Sequence, residues 1–194
     1  MTGKTVVVLG AGIGGLVAAN ELRRRLEREH RIVVIDRDAE HRFQSSYLWV
    51  MMGWRGPASV SRPLSRLRSR GIDFRQGDVQ QIDLVRRRVE TSTGPIDFDF
   101  LVVALGAELV PEGVPGMAEA GATPYTLEGA TSLRDAWRAL DEGTVAVVVA
   151  SMPFKCPAAP YEAALLLEAG FRQRGVRPSV DIQIFTPEPQ PMPV

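Results

Sequence analysis

Gly10, Gly12 and Gly15 in LGAGIGGLV, together with Asp36 at the end of VVID, have types and spacing that could bind a dinucleotide. The spacing is G-x-G-x-x-G, placed directly after an apolar run and at the start of a helical pattern. The first glycine permits a tight turn, the second lets the backbone approach a pyrophosphate, and the third lets the helix pack close to the sheet. The helix N-terminus then offers free N–H groups and its positive dipole end to the phosphates. Gly14, inside the same turn, and Arg37, beside the acid, join the candidate cofactor-binding set. A carboxylate at Asp36 would accept from a ribose hydroxyl and repel a 2′-phosphate, which favours cofactors without one.

The second chemical signal is a thiol. Residues 146–167 read AVVVASMPFKCPAAPYEAALLL, again a strand running into a helix, but without a glycine at the turn. The prolines remove N–H donors that a pyrophosphate would use, so this turn is poorly suited to NADH. It carries Cys156 instead, the candidate catalytic residue. Pro157 and Pro160 suit the first turn of a helix. The helix end and the neighbouring Lys155 both place positive charge near the sulfur, an environment that suits a thiolate. Tyr161 reads as helix packing. Cys156 is the one cysteine of the chain, which excludes an internal disulfide and any multi-cysteine metal site. His30 and His41 have no partner at metal-ligand spacing and read as surface or turn residues, so no metal site is expected.

The elements that position these residues follow from periodicity. Thr5 to Leu9 and Arg31 to Asp36 are apolar, β-branched runs flanking a helical pattern from Ile13 to about Glu29, which is a βαβ unit. Arg37 to Ala58 is aromatic-rich and irregular, and Pro63 to Arg70 predicts a short helix. Several short strands are expected from Ile72 to Val103, with Gly77 and Gly94-Pro95 as punctuation. A loop over 108–128, a helix over 132–143, a strand over 145–150, a helix over 159–174 and a strand near 180–185 complete the pattern. The fold class is α/β, a Rossmann-like parallel sheet with helices, plus the start of a second similar domain. The expected division is residues 1–110, a connector over 111–143, and 144–194 carrying Cys156. Two core strands bury too little to stand alone. The chain is therefore expected to be part of something longer, or docked to another surface.

Composition narrows the class. Of 194 residues, 45% are hydrophobic and 24% charged, with zero formal net charge, so no global field draws the chain to nucleic acid. Lys4 and Lys155 are the only lysines, leaving 21 of the 23 basic residues as arginine (23 − 2). Arg23 to Arg25 and Arg86 to Arg88 read as solvated faces. No signal peptide and no apolar run near the ~20 residues needed to cross a bilayer is present. A cytoplasmic place, or one at the periphery of the cytoplasmic membrane, is expected.

Four stretches resemble known flavoproteins. LVVALGA (101–107) resembles the second flavin motif of two-dinucleotide-domain flavoproteins, a strand ending in Ala-Thr-Gly, here Ala104-Leu105-Gly106. Gly77-Asp78-Val79 is similar to the stretch that lays its backbone against the adenine there. The resemblance implies FAD, with Asp78, Val79, Ala104 and Gly106 joining its site. Leu105 departs from the usual threonine and loses a hydroxyl contact while keeping the turn. FKCPAAPYEAALLLEAGFRQRGVR resembles the K-C-x-x-x-P-x-E segment of the sulfide:quinone oxidoreductase and flavocytochrome c sulfide dehydrogenase family. FQSSYLWVMMGWR (43–55) is similar to its aromatic segment, and the likeness covers about the first half of a member.

In that family hydrosulfide attacks a disulfide or polysulfide bridge, one sulfur stays as persulfide, and the released thiolate passes its electrons to the flavin. A quinone or a haem protein then takes them. The resemblance thus implies sulfide as small-molecule partner, a quinone or cytochrome acceptor, and Cys156 as one of the cysteine pair. It also implies peripheral membrane contact through C-terminal segments beyond this sequence, and leaves oligomerisation open. The second essential cysteine is absent, as is a third found upstream in many quinone-linked members, which leans toward the two-cysteine subgroup. Little or no turnover is expected of these residues alone. The alternative readings are an NADH:quinone-type FAD reductase and a non-catalytic FAD-binding module.

Overall fold

The computed structural model describes residues 3–191. Met1, Thr2 and the end of the proline-rich tail, Met192 to Val194, lie outside the described residues. The chain forms two compact units, Met1–Phe43 with Ala58–Leu109, and Gln44–Pro57 with Val110–Val194.

In the first unit β1 (Thr5–Leu9) leads through α1 (Ile13–Arg25) to β2 (Arg31–Asp36). β3 (Glu40–Arg42) and β4 (Ser61–Pro63) form a short antiparallel ribbon, and a 3-10 turn over Leu64–Arg70 precedes β5 (Asp73–Gln76). β6 (Val79–Asp83), β7 (Arg88–Thr91) and β8 (Ile96–Asp97) make an antiparallel sheet, and β9 (Phe100–Val103) returns beside β1. The main sheet has the order β5-β2-β1-β9 and is parallel throughout.

Its uninterrupted apolar strands are explained by burial on both faces. Val8, Ile32 and Val34 pack with Ala19 of α1 and with Leu64, Leu67 and Ile72. One residue along each strand, Val7, Leu9, Val33 and Ile35 pack with Val89 and Ile96 of the antiparallel sheet. Strand period two sends alternate residues to opposite layers.

α1 ends at Arg25, earlier than the periodic expectation of about Glu29. The Arg23 guanidinium donates to the carbonyl oxygens of Leu26, Glu27 and His30, satisfying the end of the helix and turning the chain out of it. The 37–58 stretch expected to be irregular contains β3 and, in the second unit, a one-turn helix.

The second unit contains α2 (Tyr47–Met51), α3 (Met117–Ala120), α4 (Leu127–Ala139), β10 (Gly143–Val148), α5 (Ala159–Arg174) and β11 (Val180–Phe185). β10 and β11 pair in parallel from Gly143–Val180 to Val148–Phe185. α5 and β11 fall where periodicity puts them. α4 starts five residues before the expected Ser132, because Thr126 caps it by accepting from the Gly129 N–H at 3.0 Å. Its end also differs: the helix stops at Ala139, and Gly143, at φ +124°, opens β10 instead of closing the helix. α4 is fixed within the unit by Trp137, whose Nε1–H donates to the Met51 carbonyl at 2.8 Å and whose ring meets Phe171 edge-on at 5.8 Å.

Candidate functional site

The glycine turn joins β1 to α1. Gly10 has φ +94°, a conformation that suits a residue without a Cβ. A Cβ added there would lie 2.3 Å from the Ala104 carbonyl oxygen, and one added at Gly15 would lie 1.9 Å from the Gly10 carbonyl oxygen. These two glycines allow close approach of backbone to backbone. Gly12 and Gly14 differ: an added Cβ would meet nothing within 4 Å at either. Gly12 is the N-cap of α1 and makes no side-chain capping bond. The open space and the helix's N-terminal N–H groups together form a cradle of the kind a pyrophosphate fills.

Asp36 ends β2 beside this turn. Its Oδ2 accepts from the Ala11 N–H at 2.5 Å and its Oδ1 from the Asp38 N–H at 2.9 Å. The carboxylate therefore braces the glycine turn, and each oxygen retains lone-pair capacity for a further donor. His41, expected on the surface or in a turn, is half-buried on β3 with Nδ1 2.9 Å from the Ala11 carbonyl. His30 is also half-buried, its Nδ1 accepting from the Lys4 N–H at 3.0 Å. Spacing for metal ligands carries no information about such bonds, so sequence reading missed both. Arg37 is exposed and lies 3.6 Å from Glu108 as an ion pair.

Ala104 and Gly106 follow β9, which lies directly beside β1. The Ala104 N–H donates to the Leu9 carbonyl at 2.8 Å, and Gly106 takes φ +79° with open space around it. The structure thus brings the two glycine-bearing motifs together at the C-terminal ends of adjacent parallel strands, where ligands of α/β sheets bind. Asp78 and Val79 stand at the start of β6. Asp78 exchanges backbone and side-chain hydrogen bonds with Ser92, both at 2.9 Å. A groove of about 500 Å³ lies elsewhere on this unit, along β5, lined by Arg31, Arg68, Asp73 and Arg75. It shares no residue with the glycine turn.

In the second unit Cys156 is exposed. It takes φ +58°, and its carbonyl accepts from the Ala159 N–H at 3.0 Å, the first residue of α5. Pro160 lies in the first turn of α5, as its missing N–H permits. The Lys155 ammonium, expected to act on the sulfur, donates instead to Gln44 Oε1 at 2.6 Å. The Tyr125 hydroxyl donates to the Lys155 carbonyl. Burial, and then the charge of the Cys156 thiolate, push the Tyr125 phenol above its ordinary pKa. Tyr125 stands in no motif, and Gln44, although it lies within the aromatic segment FQSSYLWVMMGWR, carries no sequence signal that points to Lys155. Tyr161 donates to Glu188 Oε2 at 2.6 Å, as does Thr186 at 2.8 Å, so this nearly buried acid just beyond β11 is already held.

The family profile described as pyridine nucleotide-disulphide oxidoreductase matches residues 4–152, well over half of the sequence. The chain belongs to this family. It is 32% identical over 189 residues to the sulfide-quinone reductase of Aquifex aeolicus, covering 96% of this chain and 44% of that protein. The crystal structure of the Aquifex aeolicus sulfide:quinone oxidoreductase matches with a TM-score of 0.87 at 31% identity, over 96% of this chain and 44% of that one. The mitochondrial sulfide:quinone oxidoreductase of Mus musculus is 30% identical over 189 residues, 91% of this chain and 40% of the relative. A type II NADH:quinone oxidoreductase of Staphylococcus aureus is 30% identical over 141 residues, 72% of this chain and 34% of the relative. The chain spans less than half the length of these relatives. FAD is the cofactor of this group of flavoproteins, and the open cradle at Gly12 and Gly14 on an uncapped helix N-terminus fits its pyrophosphate. Among the described residues no helix is long and apolar enough to cross a membrane, and no group of three metal-ligating side chains occurs.

Proposed function

We propose that the chain is the FAD-cradling, thiol-bearing portion of a sulfide dehydrogenase that passes electrons to a quinone or cytochrome. One observation carries the reading: the two strand-to-helix turns of the chain are built from opposite materials. At the first, glycines leave room for a diphosphate. At the second, prolines displace N–H donors and an exposed cysteine stands in a left-handed turn. Loops at the C-terminal ends of parallel strands are where chemistry gathers, so the second turn is read as a sulfur site.

The Gly10–Gly15 turn and the α1 N-terminus would hold the pyrophosphate, Asp36 would accept from a ribose hydroxyl, and Asp78 and Val79 would lie along the adenine. Ala104 and Gly106 would let the backbone pass close to the flavin, with Arg37 at the rim. FAD supplies a two-electron acceptor. Cys156 holds one sulfur of a disulfide or polysulfide bridge. Hydrosulfide attack breaks the S–S bond and forms a new one, leaving a persulfide on one sulfur and the electron pair on the released thiolate. Since Cys156 is the one cysteine of the sequence, the second sulfur comes from outside these residues. The names of the Aquifex and mouse relatives support sulfide as substrate and quinone as acceptor.

The Staphylococcus aureus relative favours a second reading, an NADH:quinone reductase. Against it stands the glycine-free second turn, where a nucleotide-binding domain needs open N–H groups. Treating the protein anaerobically with polysulfide and weighing it tests the sulfur site. One added sulfur, lost in Cys156→Ser, is expected; a mass that does not change would remove it.

A further inference from the structure

We propose that Tyr125 is a positioning residue for Cys156: its hydroxyl holds the peptide group that enters the cysteine and keeps the thiol in its left-handed turn. The inference rests on the reading of Cys156 as the redox sulfur and extends it to a residue outside the loop.

Among the described residues only two non-glycine residues have positive φ, Arg87 and Cys156. Arg87 lies between the paired strands β6 and β7, where a hairpin turn requires such a conformation. Cys156 lies in no hairpin. An L-residue stays in this region only where its surroundings over-determine it, and such positions cluster at functional sites. The surroundings of Cys156 do so. Rotation about its N–Cα bond swings the Lys155 carbonyl, and that oxygen is held by the Tyr125 hydroxyl. Rotation about its Cα–C bond swings its own carbonyl, which is held by the Ala159 N–H at 3.0 Å. Both peptide groups flanking the thiol are thereby pinned.

The Tyr125 anchor is itself fixed. Its N–H donates to Thr123 Oγ1 at 3.3 Å, and the next residue, Thr126, caps α4, which Trp137 ties to Met51. Gln44 holds the Lys155 side chain from another direction. The phenol also senses the charge of the Cys156 thiolate, as expected of neighbours. The Tyr125 hydroxyl makes the hydrogen bond to the loop, and Tyr125→Phe removes it while keeping the ring.

Because Cys156 is the one cysteine, a nitroxide reports on it alone. In Tyr125→Phe the label's rotational correlation time should fall about threefold or more. A label at Gln173→Cys on the exposed side of α5, in a Cys156→Ser chain, should not change. Superimposable spectra at Cys156, or equal loosening at both positions, would overturn the proposal. Sulfur loading of unlabelled wild-type protein, read by mass, tests the redox reading separately. A mobilised label without sulfur uptake keeps the positioning role and removes the redox one; sulfur uptake with an unmoved label does the reverse.

Discussion

Gly10 and Ala104, far apart in sequence, meet so closely that a Cβ on the glycine would sit 2.3 Å from the alanine carbonyl oxygen. The contact exists because β1 and β9 are adjacent parallel strands whose C-terminal ends carry the two motifs. It divides the glycines into those that serve packing, Gly10 and Gly15, and those that leave space, Gly12 and Gly14.

That division predicts opposite outcomes for two alanine substitutions. In Gly15→Ala the new Cβ meets the Gly10 carbonyl at 1.9 Å, and the backbone must shift at a cost of about 1–3 kcal/mol. Gly12→Ala meets nothing and changes stability by no more than about 1 kcal/mol. It intrudes on the cradle, however, and should weaken FAD about tenfold, or about 1.4 kcal/mol. Urea unfolding and FAD titration of both variants separate the two effects.

The first unit should lose stability in acid partly through Asp99. The Thr5 N–H at 2.8 Å, then the Lys4 ammonium at 3.0 Å, hold this carboxyl below the ordinary aspartate range. A depressed folded-state value means that the contribution is complete above the unfolded value of about 3.9 and is lost as pH falls through the folded one. Asp99→Asn should therefore lower the melting temperature at pH 7, and the difference from wild type should close in strong acid. A difference that persists unchanged would show that the bond, not the charge, matters.

In the second unit Phe171 is fully buried against Trp137. Phe171→Ala should cost about 3–5 kcal/mol from transfer and cavity. Trp137→Phe should cost about 1–3 kcal/mol, because the Met51 carbonyl loses its donor. Denaturant unfolding monitored by circular dichroism measures both.

The parallel sheet was legible because its apolar runs and the glycine spacing are local signals. β2, α5 and β11 fall where periodicity predicts them. The start of α4 was not legible, because Gly129 within its first turn masks the helix that Thr126 caps. Cys156 stood out by its position in the chain. The supports of its loop, Tyr125 and Gln44, lie 30 and 111 residues from Lys155 in sequence and meet it only through tertiary contacts. The bonds of His41 and Glu188 were hidden for the same reason.

The proposed sulfur chemistry at Cys156 would stand where nicotinamide binding would otherwise occur, at the second turn. Anaerobic titration of the FAD-loaded full-length protein, following flavin absorbance, with sulfide in one cell and NADH in another tests it most directly. Bleaching by sulfide, its loss in Cys156→Ser, and no response to NADH are expected. Bleaching by NADH that survives Cys156→Ser, with none by sulfide, would contradict it.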